Sequence, residues 1–337
     1  MRVIIEADLF RPQNLDANHA NLLALFQIGK QGVHTVEVEP RNDPKFVAWL
    51  EGESLRTQRL CKFAIERGSK LQARRRRGTL RVAEMAAPSW PDLKCPLDIA
   101  VRLLQRPLVL LLENARNDRS FLQAITQLHP DFNLEDRIAK RHLDVQTSGG
   151  SDNKKWIEDP RRTPEELARL WVLSDSDARQ SWRKGTTQLP QHLSSDVRDL
   201  EVACTQRHVP LHILTRRFIE NYLPLPTLLA WSAGDHLVPE KRTREAKYEA
   251  FTKLSPEQRH HYNMKEGFVQ DREDKTHMQK VGDLYKEVPA PVLQALEDGF
   301  GKKIATRFEK GILANWLRND NQEDEALRIV ESILEHL

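Results

Sequence analysis

An α/β fold with a largely parallel sheet is what this sequence predicts, and three features predict it. Short runs of apolar and β-branched residues recur through the first two thirds of the chain. Longer stretches with apolar residues at helical spacing separate them. The two patterns alternate at an interval that suits crossover connections, in which a helix carries the chain back across a parallel sheet. Past Ile219 the alternation stops, and the pattern is helical almost throughout.

Residues 3–5 and 35–38 read as short strands, and 18–28 between them carries apolar residues at helical spacing. Residues 46–65 form one longer amphipathic helix candidate, with Phe46, Leu50, Leu55, Leu60 and Phe63 on one side. The basic run Arg74, Arg75, Arg76 and Arg77 precedes Gly78 and a strand over 79–82. Pro88, Pro91 and Pro96 then punctuate the chain, so residues 1–95 are expected to form an N-terminal α/β domain.

The second region opens with the buried-strand run 108–112, which leads straight into Glu113. A helix over 118–128 follows, then a strand over 143–147 closed by Gly149 and Gly150. Residues 164–168 are helical in character, 171–173 are strand-like, 196–207 read as a helix and 209–214 as a fourth strand. The expected catalytic domain is 105–225. Residues 226–337 are expected to be a helical extension that completes it, with helices near 240–254, 256–264, 275–286, 301–311 and 323–335.

Composition narrows the class. A length of 337 residues suits two domains, and 39% hydrophobic with 30% charged residues suits a soluble globular protein. Fifty-two basic residues against 49 acidic ones leave a net charge of only +3, so local clusters must argue for any nucleic-acid contact. Cys61, Cys95 and Cys204 form no CxxC pair, which argues against a zinc ribbon or disulfide framework and for reduced thiols. The longest apolar run, 108–112, is too short to cross a membrane, and the N-terminus has no signal-peptide pattern. A cytoplasmic protein without a membrane partner is expected.

Functional groups of parallel α/β sheets gather beyond the carboxyl ends of the strands. Two such ends here carry acids: Glu113 after 108–112, and Asp175-Ser176-Asp177 after 171–173. Residues two apart in an extended segment point the same way, so Asp175 and Asp177 are expected to share a side. Carboxylate oxygens are hard ligands that suit Mg²⁺ or Mn²⁺, and clustered acids repel one another unless a cation neutralises them. Taken alone, Asp175 and Asp177 fit a solvated turn or a helix cap as well.

The run Leu110-Leu111-Leu112-Glu113 with Asp118, the Gly149-Gly150 step and Val172-Leu173-Ser174-Asp175-Ser176-Asp177 resembles the Toprim domain of topoisomerases, primases and OLD-type nucleases. The stretch His212-Ile213-Leu214-Thr215-Arg216-Arg217-Phe218-Ile219-Glu220-Asn221-Tyr222-Leu223 resembles the segment after the fourth strand of OLD-like Toprim nucleases. The resemblance implies a Toprim-like parallel-sheet core and metal-dependent cleavage of nucleic acid. It implies Glu113, Asp175 and Asp177 as ligands of one Mg²⁺ or Mn²⁺, Glu220 as a ligand of a second, and Lys265 near the scissile phosphate. It also implies an effector of bacterial anti-phage defence that works with an ABC-type ATPase. The chain has no GxxxxGK[ST] loop, so that ATPase would be a separate partner. A homo-oligomer stays open.

Two departures matter. Asn114 stands where the family has glycine after its first Glu, and Asn117 stands where an acid often follows. Asp118, one place on, is a ligand only if the turn holds an extra residue. These departures keep open a non-catalytic nucleic-acid-binding or assembly module on the same fold. The arginine run 74–77 fits either phosphate contacts or a solvated loop. Trp156, Trp171, Trp182 and Trp231 form no stacking stripe and suit packing, and His260-His261 lacks the partners of a His-Asn nuclease motif. A topoisomerase or primase fits poorly, with only four tyrosines and no zinc motif.

Overall fold

The computed structural model describes all residues except 73–77, 128, 130–131, 149–151, 180–192, 235–237, 274–283 and 311–322. The arginines at 74–77, Gly149, Gly150 and Trp182 therefore lie outside the described residues. Two four-stranded sheets, both parallel throughout, organise the chain. The first contains β1 (Arg2–Glu6), β2 (Thr35–Glu39), β3 (Thr79–Val82) and β4 (Lys94–Cys95), in the order β2-β1-β3-β4. The second contains β5 (Leu108–Leu112), β6 (Leu143–Thr147), β7 (Leu170–Ser174) and β8 (Leu211–Ile213), in the order β6-β5-β7-β8.

A parallel strand covered on both faces reads as a continuous apolar run, and β5 and β7 do. Their alternate residues feed two different cores. Leu108, Leu110, Leu112, Trp171 and Leu173 face one side, where the helix Asn117–Thr126 and apolar residues from Leu214 to Leu337 cover them. Leu111, Leu170 and Val172 face the other, under the helices Asp152–Glu158 and Ser195–Gln206. The helical C-terminal third thus builds much of one wall of the second sheet. The first sheet has its own core, centred on Val3, Ile5, Val36, Leu80 and Val82 with the helix Pro12–Gln31.

Several elements differ from the pattern read in the sequence, among them a 3-10 helix, Ile304–Lys310, where a helix over 301–311 was expected. The expected helix over 46–65 is two helices, Pro44–Gly52 and Leu55–Gln72. Gly52 ends the first, and Ser54 restarts the second by accepting the N–H of Thr57 at 3.2 Å. A helix over Leu97–Gln105 lies between the expected domains and buries Leu97, Ala100, Val101 and Leu104 in the first core. Of the helix expected over 275–286, residues 284–287 form a turn, and the described helix nearest to it is Gly267–Glu273. No described helix is long and apolar enough to cross a membrane. Cys61, Cys95 and Cys204 are buried and form no disulfide with one another.

Candidate functional site

Register decides which acids meet. Leu111 of β5 pairs with Val172 of β7, and Ser174 of β7 pairs with Ile213 of β8. The residues just past these strands therefore arrive at one edge of the sheet.

Glu113 leaves β5 there, and the Ser174 hydroxyl donates to its Oε1 at 3.1 Å. The Thr147 hydroxyl, at the end of β6, donates to the Glu113 carbonyl at 2.9 Å. Asn114 has a structural role of its own. Its Oδ1 accepts the N–H groups of Arg116 at 3.1 Å and Asn117 at 3.0 Å, which starts the next helix. Asp118 is buried and accepts the Asn114 N–H at 2.9 Å, so it closes the turn behind Glu113.

β7 ends at Ser174, and beyond it Asp175 and Asp177 take different partners; Asp177 has a φ of 52°, in the left-handed region that Asp tolerates better than most residues. The Ser176 and Asp177 N–H groups both donate to the Arg217 carbonyl, at 3.1 and 3.0 Å, which fixes that turn. Asp175 Oδ1 then accepts the Ile219 N–H at 2.9 Å, whereas Asp177 Oδ2 accepts the Ser194 hydroxyl at 3.2 Å. Glu113, Ser174 and Asp177 line a cleft of about 80 Å³ with Asn153, Lys154 and Asp196.

Glu220 sits in a 3-10 turn, Ile219–Tyr222, and is only 1% exposed. Among the described residues its Oε2 has no hydrogen-bond partner. Lys265 reaches it from the C-terminal third: Nζ lies 3.4 Å from Glu220 Oε1 and 3.7 Å from Asp175 Oδ2. The ammonium also sits 4.5 Å from the centre of the Phe218 ring. The loop bearing Lys265 is gripped by Gly299–Gly301, with Phe300 N–H donating to Met264 O at 2.7 Å and Gly301 N–H to Lys265 O at 3.1 Å. Gly267 and Gly299 allow that approach: a Cβ on Gly267 would meet the Glu297 carbonyl at 2.1 Å.

Electrostatics ties these groups together. Burial, then the charges of Asp177 and Asp118, push the Glu113 carboxyl up to about 7. Burial pushes Asp118 up to about 6 and carries Asp175 well above the usual carboxylate range. Burial also raises Glu220, against the pull of Lys265. Burial works against the Lys265 ammonium, but Asp175, Glu220 and Glu113 outweigh it and shift the group upward.

The side chains as they stand are not a ready-made ligand set. Among the described residues no three His, Cys, Asp or Glu side chains are grouped so as to hold a metal ion. Lys265 is what neutralises Asp175 and Glu220 in this arrangement. Still, the donors suit a hard divalent cation: they are carboxylate oxygens, several are raised by burial and then by one another's charge, and a buried Glu220 oxygen is unmatched among the described residues.

Several residues that support the site carry no local sequence signal. Asn221 Oδ1 accepts the Phe218 N–H at 3.0 Å, and its Nδ2 donates to the carbonyls of Arg259 and Tyr262 at 2.8 and 2.9 Å. Arg217 pairs in the interior with Asp271, its Nη1 2.7 Å from Oδ2. Glu325, from the helix Glu323–His336, accepts the Thr215 N–H at 2.8 Å. Ser174 alone was readable, as the polar residue between an apolar strand and its acids. His261 is buried, with Nδ1 3.0 Å from the Ala178 carbonyl. Trp171 and Trp231 are core residues. No family model, no curated protein and no solved structure matches the chain.

Proposed function

We propose that the chain is a divalent-cation-dependent nuclease that cleaves phosphodiester bonds in nucleic acid. The observation that carries this reading is the convergence of Glu113, Asp175, Asp177, Glu220 and Lys265 on one carboxyl-terminal sheet edge. Glu113, Asp175 and Asp177 would hold one Mg²⁺ or Mn²⁺, and Glu220 would help to hold a second. Bound there, such ions polarise a phosphate and lower the pKa of a water. The protein's own groups do the positioning. Ser174 orients Glu113, and the Ile219 N–H orients Asp175. Lys265 keeps its proton across the neutral range and offers a fixed positive charge to phosphate oxygens on which charge develops.

The resemblance to Toprim and OLD-like nucleases supports the same reading. It extends it to a cytoplasmic effector of bacterial anti-phage defence with a separate ABC-type ATPase as partner. The arginines at 74–77 are the proposed phosphate contacts. A non-catalytic nucleic-acid-binding module is the competing reading, and what favours it is that Lys265, not a closed set of ligands, meets Asp175 and Glu220.

The test is incubation of plasmid DNA, single-stranded DNA and total RNA with Mg²⁺ or Mn²⁺. Cleavage by the wild type, lost with EDTA and lost in Asp175→Ala/Asp177→Ala, is expected. Equal cleavage by both proteins would remove the site assignment. Nucleic-acid binding that survives Glu113→Ala, with no cleavage by the wild type, would favour the competing reading.

A further inference from the structure

We propose that Glu325 is a positioning residue that holds the Glu220 turn in place, which makes the C-terminal helix part of the site's machinery. The inference rests on the metal-centre reading above and names a group that reading does not include. Glu325 is 5% exposed, on the helix Glu323–His336, and far in sequence from the acids. Its carboxylate meets four donors. The Thr215 N–H donates at 2.8 Å, the Thr215 hydroxyl at a short distance, the Tyr222 hydroxyl at 2.5 Å, and His212 Nε2 lies at 3.2 Å.

The placement of those donors is what matters. His212 belongs to β8, Thr215 starts the loop that follows, and Tyr222 closes the 3-10 turn. Glu220 lies between them, as does Ile219, whose N–H fixes Asp175. The Tyr222 hydroxyl also accepts the Arg216 N–H at 3.2 Å, so the same cluster pins the loop at a further point. One carboxylate thus fastens both ends of the stretch 215–222. Trp171 Nε1 donates to Ser332 at 3.0 Å, which holds the same helix against β7.

An ionised carboxylate is costly to bury unless its lone pairs are met, so such a cluster tolerates little change of shape. The hydrogen bonds outweigh burial here and hold the Glu325 carboxyl down at about 2, so it stays charged. A cluster with fixed protonation and fixed donors orients the Glu220 backbone as partners behind a metal ligand do.

The experiment is a Mn²⁺ titration of the full chain, followed by electron paramagnetic resonance, on wild type, Glu325→Gln and Tyr222→Phe. Glu325→Gln keeps the shape and removes the charge. We expect one Mn²⁺ to bind about tenfold more weakly in Glu325→Gln with an unchanged circular dichroism spectrum. A smaller shift in the same direction is expected for Tyr222→Phe. If Glu325→Gln does not fold, the Tyr222→Phe titration decides alone. Folded variants that titrate as the wild type does would overturn the inference while leaving the metal centre intact. A wild type that binds no Mn²⁺ would overturn both.

Discussion

The two sheets of this protein have the same strand order and the same parallel sense, yet among the described residues only one gathers acids into a cluster. In the first sheet the acids that end β1 and β2 each have a base two strands away. Glu6 lies 2.7 Å from Lys94, and Glu39 lies 2.8 Å from Arg81. These pairs are partly or largely exposed. In the second sheet Glu113, Asp175 and Glu220 are drawn inward, and Lys265 answers to more than one of them. The topology offers a site at both edges, and the pairing of charges decides which edge keeps unsatisfied acid. Isolated surface pairs contribute little to stability, so the first edge is electrostatically quiet, whereas at the second burial and neighbouring charge raise the acids, a strain that the proposed cation would relieve.

The strongest way to break this contrast is to remove acids at each edge. Asp175→Ala/Asp177→Ala should lower metal-dependent cleavage by at least about a hundredfold, more than the loss seen when groups behind a ligand are removed. Glu39→Ala should leave cleavage unchanged. A plasmid-nicking assay compares the two.

Cation binding should also appear as stability. Mn²⁺ at a hundred times its dissociation constant should stabilise the wild type by about 2.7 kcal/mol in urea unfolding, and Glu113→Ala should lose most of that gain.

A pH series sharpens the contrast further. Glu113 and Asp118 are raised to about 7 and about 6 in the folded protein, so the folded state holds protons that the unfolded chain releases. Their favourable contribution is full below the ordinary carboxylate range and is lost as pH rises through 7. Without divalent cation, stability should fall between pH 4.5 and 8 by on the order of 5 kcal/mol. Glu113→Gln should flatten that slope. The smallest effect belongs to the first sheet: Arg81→Ala should change stability by no more than about 1 kcal/mol by the same unfolding measurement.

Much of the second sheet was legible because its strands are buried on both faces. The runs at 108–112 and 171–173 stand out for that reason, and the acids that follow them are read directly. What spacing could not reveal was the turn after Ser174. The rule that residues two apart share a side holds only in extended chain, and Asp177 has a positive φ. The amphipathic helix Leu97–Gln105 was hidden by the prolines before it, although Pro96 sits at its start, where proline is tolerated. The break at Gly52 was equally hidden, because apolar spacing continues across it. Long-range partners such as Glu325 and Asp271 were beyond reach. An acid on a charged helix looks the same whether it faces water or a tyrosine across the fold.

The measurement that bears most directly on the central claim is a crystal structure of the full chain soaked in Mn²⁺, with anomalous data collected. The account predicts anomalous density bounded by Glu113, Asp175, Asp177 and Glu220, with Lys265 displaced from between Asp175 and Glu220. Density found only elsewhere, or none at saturating Mn²⁺, would contradict it.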